Sequence, residues 1–454
     1  MTRRPGAVLA LLAFAQLIIS LDYNIVYVAL PDIGRDLGFS AQSLQWVVSA
    51  YAVAFGGALL LGGRACDLIG PRRVFAAGCA LYAGASLLGG LAGEPGLLVA
   101  ARAGQGLGGA LLFPATLTLV STSFAAGRER NRAFAVWGTA GGSGMILGSL
   151  LGGVLTQVFG WAAVFFVNVP LAASAAVLAF ALLPPDPARA PGRRFDLPGA
   201  LTATLGTTLV VFALVEGPEL GWTSVLLPAL AGLAALAAFA VIEHRSRDPL
   251  LPLRLLRERN LGTGVVVTFL YMGTFGTLLY FLTGYFQGVH GYGALATGLA
   301  FGVPMLAIAA GSQTAGRLAT RYGTRPTLVV SLAVGGAGAV MLGLSMTLSA
   351  SYWELVPALL VLGLGQGAGY TLMFGAAAAG ISPAEQGIAS GVASTAQQVG
   401  GTVGLAVFVA AANAGSSEVD GLRTAVLLAA AGIALTAVVA LRFGGARRGV
   451  AVPA

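Results

Sequence analysis

Lysine is absent from the 454 residues: all 25 basic side chains are arginine. A Walker-type phosphate loop needs a lysine, so none can be built here, which argues against ATP-driven work by this polypeptide. Cysteine is nearly absent as well. Cys66 and Cys79 stand near a loop and in an apolar run, a pattern that indicates neither a disulfide framework nor a metal site. The two histidines, His244 and His290, are isolated in predicted loops and read as solvated side chains. Charge of either sign is scarce, at 9% of residues. The net charge of +8 therefore reflects arginine clusters in loops and not a nucleic-acid face.

What the chain does have is apolar length. Hydrophobic residues make up 57%, glycines number 67, and apolar runs of about twenty residues recur from end to end, which predicts an all-α integral membrane protein. Fourteen spans are expected near 7–30, 43–63, 74–93, 97–121, 134–158, 164–183, 197–216, 223–242, 262–284, 294–315, 327–347, 355–378, 388–411 and 424–442. The first follows Arg3 and Arg4, runs past Asp22 to Leu30 without a small-residue cleavage site, and reads as a retained span. An even count puts both termini on one side. With that side cytoplasmic, the inner loops and tails hold 22 of the arginines, the outer loops hold Arg35 and Arg423, and Arg102 is left within a span. The asymmetry predicts a cytoplasmic membrane location with both termini inside.

Two longer connections, proline-rich 184–196 and charged 243–260, bracket spans seven and eight. The expected organisation is a six-helix bundle over 1–183, a two-helix insert with its linkers over 184–260, and a second six-helix bundle with a tail over 261–454. The insert is expected to pack outside both bundles. An internal echo supports the division: the loop from Gly63 to Arg73 recurs from Gly316 to Arg325, and Gly104-Gln105-Gly106 recurs as Gly365-Gln366-Gly367. Two halves of similar design place a binding site between them, near the midplane. Gly363 stands where Arg102 stands in the first half, so the arginine is not part of the shared scaffold.

Arg102 and Asp22 are the two charges expected deep in the membrane. Such residues mark transport pathways because an unpaired charge there costs about 2.5 kcal/mol or more. At 1.5 Å per residue their depths are roughly 12 Å for Asp22 and 8 Å for Arg102 below the outer surface, so the two can meet. Burial disfavours a carboxylate's charged form and a nearby cation favours it, and hydration or substrate entry can tip that balance. A proton-coupling pair is one reading and a static ion pair locking two helices the other. In the Gly63–Arg73 loop, Asp67 can cap the next helix or pair with Arg64, Arg72 or Arg73, while Gly70 and Pro71 force a short turn. This is a candidate conformational clasp. The alternative is plain positive-inside anchoring. Gly144, Gly148 and Gly152 recur in steps of four on one face of span five, with Gly153 beside them, and suit close helix contact. Gly104, Gly106 and Gly109 match a dinucleotide fingerprint in letters only, since no strand precedes them. Candidate cavity residues are Asn24, Tyr51, Gln105, Tyr271, Tyr280, Gln313, Gln366 and Tyr370, with Gln16, Gln157, Tyr285, Gln397 and Gln398 also polar within spans.

On these residues the chain resembles the major facilitator superfamily, and within it the fourteen-span drug:proton antiporters. The Gly63–Arg73 loop is similar to the family's GxLaDrxGrr loop, and Arg102 with Gln105 and Gly106 to its RxxqG motif, whose arginine is implicated in proton coupling. The span-five glycines are similar to GxxxGPxxGG, Leu21 to Pro31 to lDxtvvnvALP, and Trp161 to Pro170 to WrwxFxxNvP. Ser149 stands where antiporters carry proline, Leu68 and Pro71 replace loop arginines, Ala162 replaces an arginine, Asn24 a threonine, and Thr320 the second-half aspartate. The resemblance implies two rocking six-helix bundles plus two inserted helices, and export of lipophilic small molecules in exchange for protons. Asp22 would accept the proton and Arg102 tune it. The implied partners are the lipid bilayer, protons and the small molecule, with no nucleic acid; the energy source is the proton gradient rather than a cofactor; a monomer and no enzymatic activity are expected. A proton-coupled uptake symporter of the same fold is the alternative, and a non-transporting membrane sensor a more distant one.

Overall fold

The apolar runs fold as helices in the expected order. The computed structural model describes residues 5–40, 42–125, 128–186, 196–246, 254, 257–378 and 386–444. In chain order the helices are α1 Pro5–Leu37, α2 Trp46–Ile69, α3 Pro71–Gly90, α4 Pro95–Ser123, α5 Arg128–Phe159, α6 Ala163–Phe166, α7 Asn168–Leu182, α8 Leu197–Leu220 and α9 Leu226–Arg245, followed by α10 Arg259–Thr274, α11 Leu278–Gly284, α12 Ala294–Ala300, α13 Gly302–Tyr322, α14 Thr324–Ser345, α15 Tyr352–Ala378, α16 Gln386–Asn413 and α17 Glu418–Ala440. Twelve helical stretches among the described residues are long and apolar enough to cross a membrane. The remaining two expected spans are α2 and α8, each of 24 residues, whose apolar cores Ser43–Leu59 and Pro198–Leu214 are shorter.

Local chemistry explains where helices begin and where three spans break. Gly70 and Gly323 take φ of 105° and 92° at the turns into α3 and α14, a backbone region that side chains other than glycine avoid. Asp196 caps α8 by accepting from the Gly199 amide at 2.9 Å, and Ser417 caps α17 at Asp420, each satisfying an otherwise orphaned amide. Pro170 has no amide to offer Phe166, and the helix is interrupted there, between α6 and α7. Pro304 likewise leaves the Ala300 carbonyl free at the α12–α13 break, and the Tyr352 hydroxyl donates to it at 2.8 Å. Between α10 and α11, Thr274 and Thr277 hydroxyls donate back to the Leu270 and Gly273 carbonyls, a competition that bends helices.

The two halves repeat one packing plan. In the first, α1 packs on α5, α2 on α4, and α3 on both α4 and α7; in the second, α10 packs on α16, α13 on α15, and α14 on both α15 and α17. The glycine echo lies at matching places. A Cβ on Gly106 would run into the Tyr51 carbonyl of α2 and one on Gly367 into the Ile308 carbonyl of α13. Gly144, Gly148 and Gly152 sit against the Leu17, Leu21 and Ile25 carbonyls of α1. Their second-half counterparts are Gly400 and Gly404 of α16, against Phe269 and Gly273 of α10.

The halves join through α2 with α16 and α5 with α12. Gln287 donates to the Val28 carbonyl at 2.8 Å and Asn413 to Gln42 Oε1 at 2.8 Å, while Gly153 lies against Ala294 and Leu295. The Gln287, Asn413 and Gly153 contacts belong to the arginine-poor ends of the helices, while α2 and α16 also meet near mid-helix, where Thr395 donates to the Gly56 carbonyl at 3.2 Å. The insert is placed more specifically than the sequence indicates. α8 covers the seam where α2 meets α16, with Val211 buried beside Val53 and Ala406, and Trp46 Nε1 donates to Glu216 at 2.7 Å; α9 packs on α8.

Candidate polar site within the first bundle

Asp22 and Arg102 come together. α1 presents Asp22 and α4 presents Arg102, both buried, with Arg102 Nη1 donating to Asp22 Oδ2 at 2.7 Å. A single guanidinium fixes three elements at once: Nε donates to the Val47 carbonyl of α2 at 2.7 Å, and Nη1 also donates to Gln105 Oε1 at 2.8 Å. Its face lies 4.6 Å from the centre of the Tyr51 ring, where cation–π attraction adds to the hold. The planar fork of arginine makes this spread of partners possible; a point-like ammonium could not match it.

Asp22 is surrounded by donors. Its Oδ1 accepts from Asn168 Nδ2 of α7 at 2.7 Å and from Gln105 Nε2 at 3.2 Å. Gln105 Nε2 also donates to Ser86 of α3 at 2.8 Å, and Ser86 in turn donates to the Tyr82 carbonyl. Five helices of the first half, α1, α2, α3, α4 and α7, therefore contribute side chains to one buried cluster, and α2 adds the Val47 carbonyl. The Gly148 contact with the Leu21 carbonyl holds α5 directly behind the residue that carries the carboxylate. Such a site can hold one negative charge without water. It can also leave a buried guanidinium unbalanced when that charge is neutralised, a penalty of about 3–5 kcal/mol when one partner of a buried pair is removed.

Among the other sequence candidates, Gln105 and Tyr51 belong to this cluster. Asn24, two residues further along α1 and so on the opposite face, donates to the Met145 carbonyl at 3.0 Å and points toward Met305 Sδ across the two halves. Tyr271 donates to the Gln366 carbonyl at 2.6 Å, Gln366 Nε2 reaches the Phe275 carbonyl, and the Tyr370 ring lies 6.1 Å from Tyr271. These three form a second-half group. Tyr280 packs edge-on to Phe281, and Gln313 is exposed. A narrow crevice of about 10 Å³ lies between the halves, lined by Tyr23, Tyr27, Ser49, Gly276 and Thr402 among others.

The candidate clasp is organised around a residue that the sequence does not single out. Gly63 and Arg64 lie in the last turns of α2, and the Asp67 side chain lies outside the described residues. The carboxylate at the α3 N-terminus is Asp186, from the chain after α7. It accepts from the Arg72 and Arg73 amides at 2.8 and 3.2 Å and lies 3.9 Å from Arg73 Nε, where the helix dipole favours an anion. Gly70 has no room for a Cβ because that carboxylate fills it. Arg72 donates to the Phe180 carbonyl at 2.6 Å and lies over the Phe180 ring. Asn168 was also missed as a site residue, although it stands inside the Trp161–Pro170 stretch; its polarity in an apolar run was the available signal.

Comparison with known proteins agrees with the architecture. The family model described as Major Facilitator Superfamily matches residues 12–405. The chain is 42% identical to the puromycin resistance protein pur8 of Streptomyces alboniger over 89% of this chain and 81% of that protein. It is 38% identical to the cephamycin export protein CmcT of Amycolatopsis lactamdurans, over 92% and 87%, and 33% identical to a lincomycin resistance protein of Streptomyces lincolnensis, over 90% and 84%. Among solved structures, the nucleoside transporter NupG superposes with a TM-score of 0.68 at 14% identity, covering 97% of this chain and 100% of that one; that likeness concerns the fold alone. By matched length, helix order and duplicated packing, the chain belongs to the Major Facilitator Superfamily.

Proposed function

We infer that the protein exports lipophilic small molecules, antibiotics among them, in exchange for protons. The names of the similar resistance and export proteins support the direction and the substrate class. The observation that carries the coupling is the burial of Asp22 and Arg102 as a 2.7 Å pair. Protonating Asp22 removes the anion that balances Arg102, and the cost of leaving that cation unpaired favours a rearrangement of α1 against α4. Proton entry and the swing between inward- and outward-open states are thereby linked.

In this reading all fourteen helical segments cross the cytoplasmic membrane, both termini are cytoplasmic, and the protein works as a monomer without a cofactor. The Asp186 cap ties the cytoplasmic end of α3 to the chain after α7 within the first bundle. Inside-out vesicles with a proton gradient reported by a quenched dye supply the test, using a panel of lipophilic cations and neutral antibiotics. A transported compound is expected to collapse the gradient with the native protein, and Asp22→Asn to abolish that collapse. Equal responses from both forms to a compound shown to be transported would remove Asp22 from the coupling role.

A further inference from the structure

The two halves meet along two seams, α2 with α16 and α5 with α12, as a duplicated design requires. In both, contacts reach from the arginine-poor ends toward the middle of the helices. On one side Thr395 donates to the Gly56 carbonyl at 3.2 Å. On the other, Gly298 lies against the Ser149 carbonyl and Asn24 points toward Met305.

Toward the arginine-rich ends the seams differ. Gly138 stands eleven residues before Ser149 on α5, and Gly316 eleven after Met305 on α13. Eleven residues are about three helical turns, so each glycine keeps the face that meets the other half further up. Both are exposed, and a Cβ on either would meet nothing within 4 Å. Val136, Leu147, Leu306 and Leu318, on the same two helices, are exposed as well. The gap between these ends of α5 and α13 is therefore open and apolar at its rim. The other seam is roofed. Gly57, the residue after Gly56, is packed against Thr204 of α8, and α8 extends past that point to Leu197 at its arginine-rich end. It packs on both α2 and α16, and α9 lies on α8. Among the described residues these two are the helices outside the bundles, and both stand on the same side.

An insert over one of two related gaps gives them unequal access to the bilayer. A lipophilic compound concentrates in the hydrocarbon, because removing apolar surface from water gains about 25 cal/mol per Å², and so it approaches the protein from within the membrane. We propose that substrates enter from the inner leaflet through the gap between α5 and α13, and that α8 closes the α2–α16 side to substrate and lipid. The insert makes entry one-sided.

This path rests on the export reading, and the experiment separates the two. Accumulation of a lipophilic compound exported by the native protein is followed in inside-out vesicles for Gly138→Cys and for Leu205→Cys, which lies on α8 and is exposed. Each variant is measured before and after reaction with methyl or benzyl methanethiosulfonate, and again after reduction. Cys66 and Cys79 are buried, and the treated native protein controls for them. The benzyl adduct at position 138 is expected to raise the apparent KM several-fold with little change in the rate at saturating compound, the methyl adduct to do so much less, and reduction to reverse both. Adducts at position 205 are expected to change neither quantity. An unchanged KM with the benzyl adduct at 138 overturns the proposal. So does a loss of saturating rate alone, which would mean that the adduct obstructs the swing and not the entry, or an equal rise in KM from position 205. If Gly138→Cys has no melting transition in detergent, Gly316→Cys, on the facing helix, decides by the same signs. A native protein that accumulates no compound of the panel rejects the export reading, and the entry path with it, whatever the adducts do.

Discussion

At the scale of the residue, Arg102 ties several elements together through one buried side chain. It is 2% exposed and donates to a carboxylate, an amide oxygen and a main-chain carbonyl on three different helices. Arg102→Lys preserves the charge and removes the fork. One ammonium can stay on Asp22 but cannot keep both the Val47 and Gln105 bonds in place. The expected outcome is a fall of about tenfold or more in substrate-driven proton flux, with membrane abundance reduced much less, measured in the same vesicles by dye quenching and immunoblot. That abundance would collapse together with flux if the arginine served only to hold α2 and α4 together. The sequence made Asp22 and Arg102 legible because deep charges are rare and helix arithmetic put them at similar depths. Asn168, Ser86 and Tyr82 were not legible in the same way: neutral polar side chains occur throughout the spans, and only tertiary packing shows which of them converge. Asp186 was hidden for another reason. It lies more than a hundred residues from the helix end that it caps, and Asp67 offered a nearer carboxylate for the same role.

Between elements, the contact that carries the site is α1 on α5. The Leu17, Leu21 and Ile25 carbonyls face Gly144, Gly148 and Gly152 with no space for a methyl group, so the two helix backbones approach as closely as glycine permits. Ser149, at the position of proline in the motif that the span-five glycines resemble, is buried with its hydroxyl turned back to the Met145 carbonyl at 3.4 Å, and its own carbonyl faces Gly298 of the opposite half. The α5 glycine face therefore serves two neighbours, α1 on one side and α12 on the other. Gly148→Val would drive a branched side chain into the Leu21 carbonyl, where overpacking typically costs about 1–3 kcal/mol, and would displace the adjacent Asp22. A melting midpoint lowered by several degrees and strongly reduced flux are expected. Gly142→Ala, on the same helix where a Cβ meets nothing, is expected to match the native protein in both measurements. The periodicity of these glycines was readable from sequence, but the partner carbonyls were not, and the equivalent Gly400 and Gly404 of α16 became recognisable only beside α10.

Across the whole molecule, the sequence conveyed the duplicated design because motif echoes and arginine placement both recur, whereas the position of the insert carried no such signal. An apolar helix with few charges looks alike wherever it packs. The structure places α8 over the α2–α16 seam, tied to α2 through the Trp46–Glu216 hydrogen bond, with Gly57 close against Thr204, and meeting α16 in the apolar Val53–Val211–Ala406 cluster. A hydrogen bond to α2 and an apolar contact with α16 suit an insert that moves with the first bundle while α16 slides beneath it. The arginine-poor ends are joined across the halves by neutral groups, Asn413 to Gln42 and Gln287 to Val28. Neutral bonds of this kind contribute roughly 0.5–1.5 kcal/mol each, small enough to open in every cycle. Alternating access requires that opening, so a covalent tie at the same place should arrest it. The two native cysteines are buried, which allows Gln42→Cys with Asn413→Cys to be oxidised selectively. Transport is expected to be lost on oxidation and to return on reduction, with each single variant indifferent to both reagents. Undiminished flux from a fully cross-linked pair would mean that this end of the molecule does not part during the cycle, and the rocking of two bundles would have to be abandoned for a different motion.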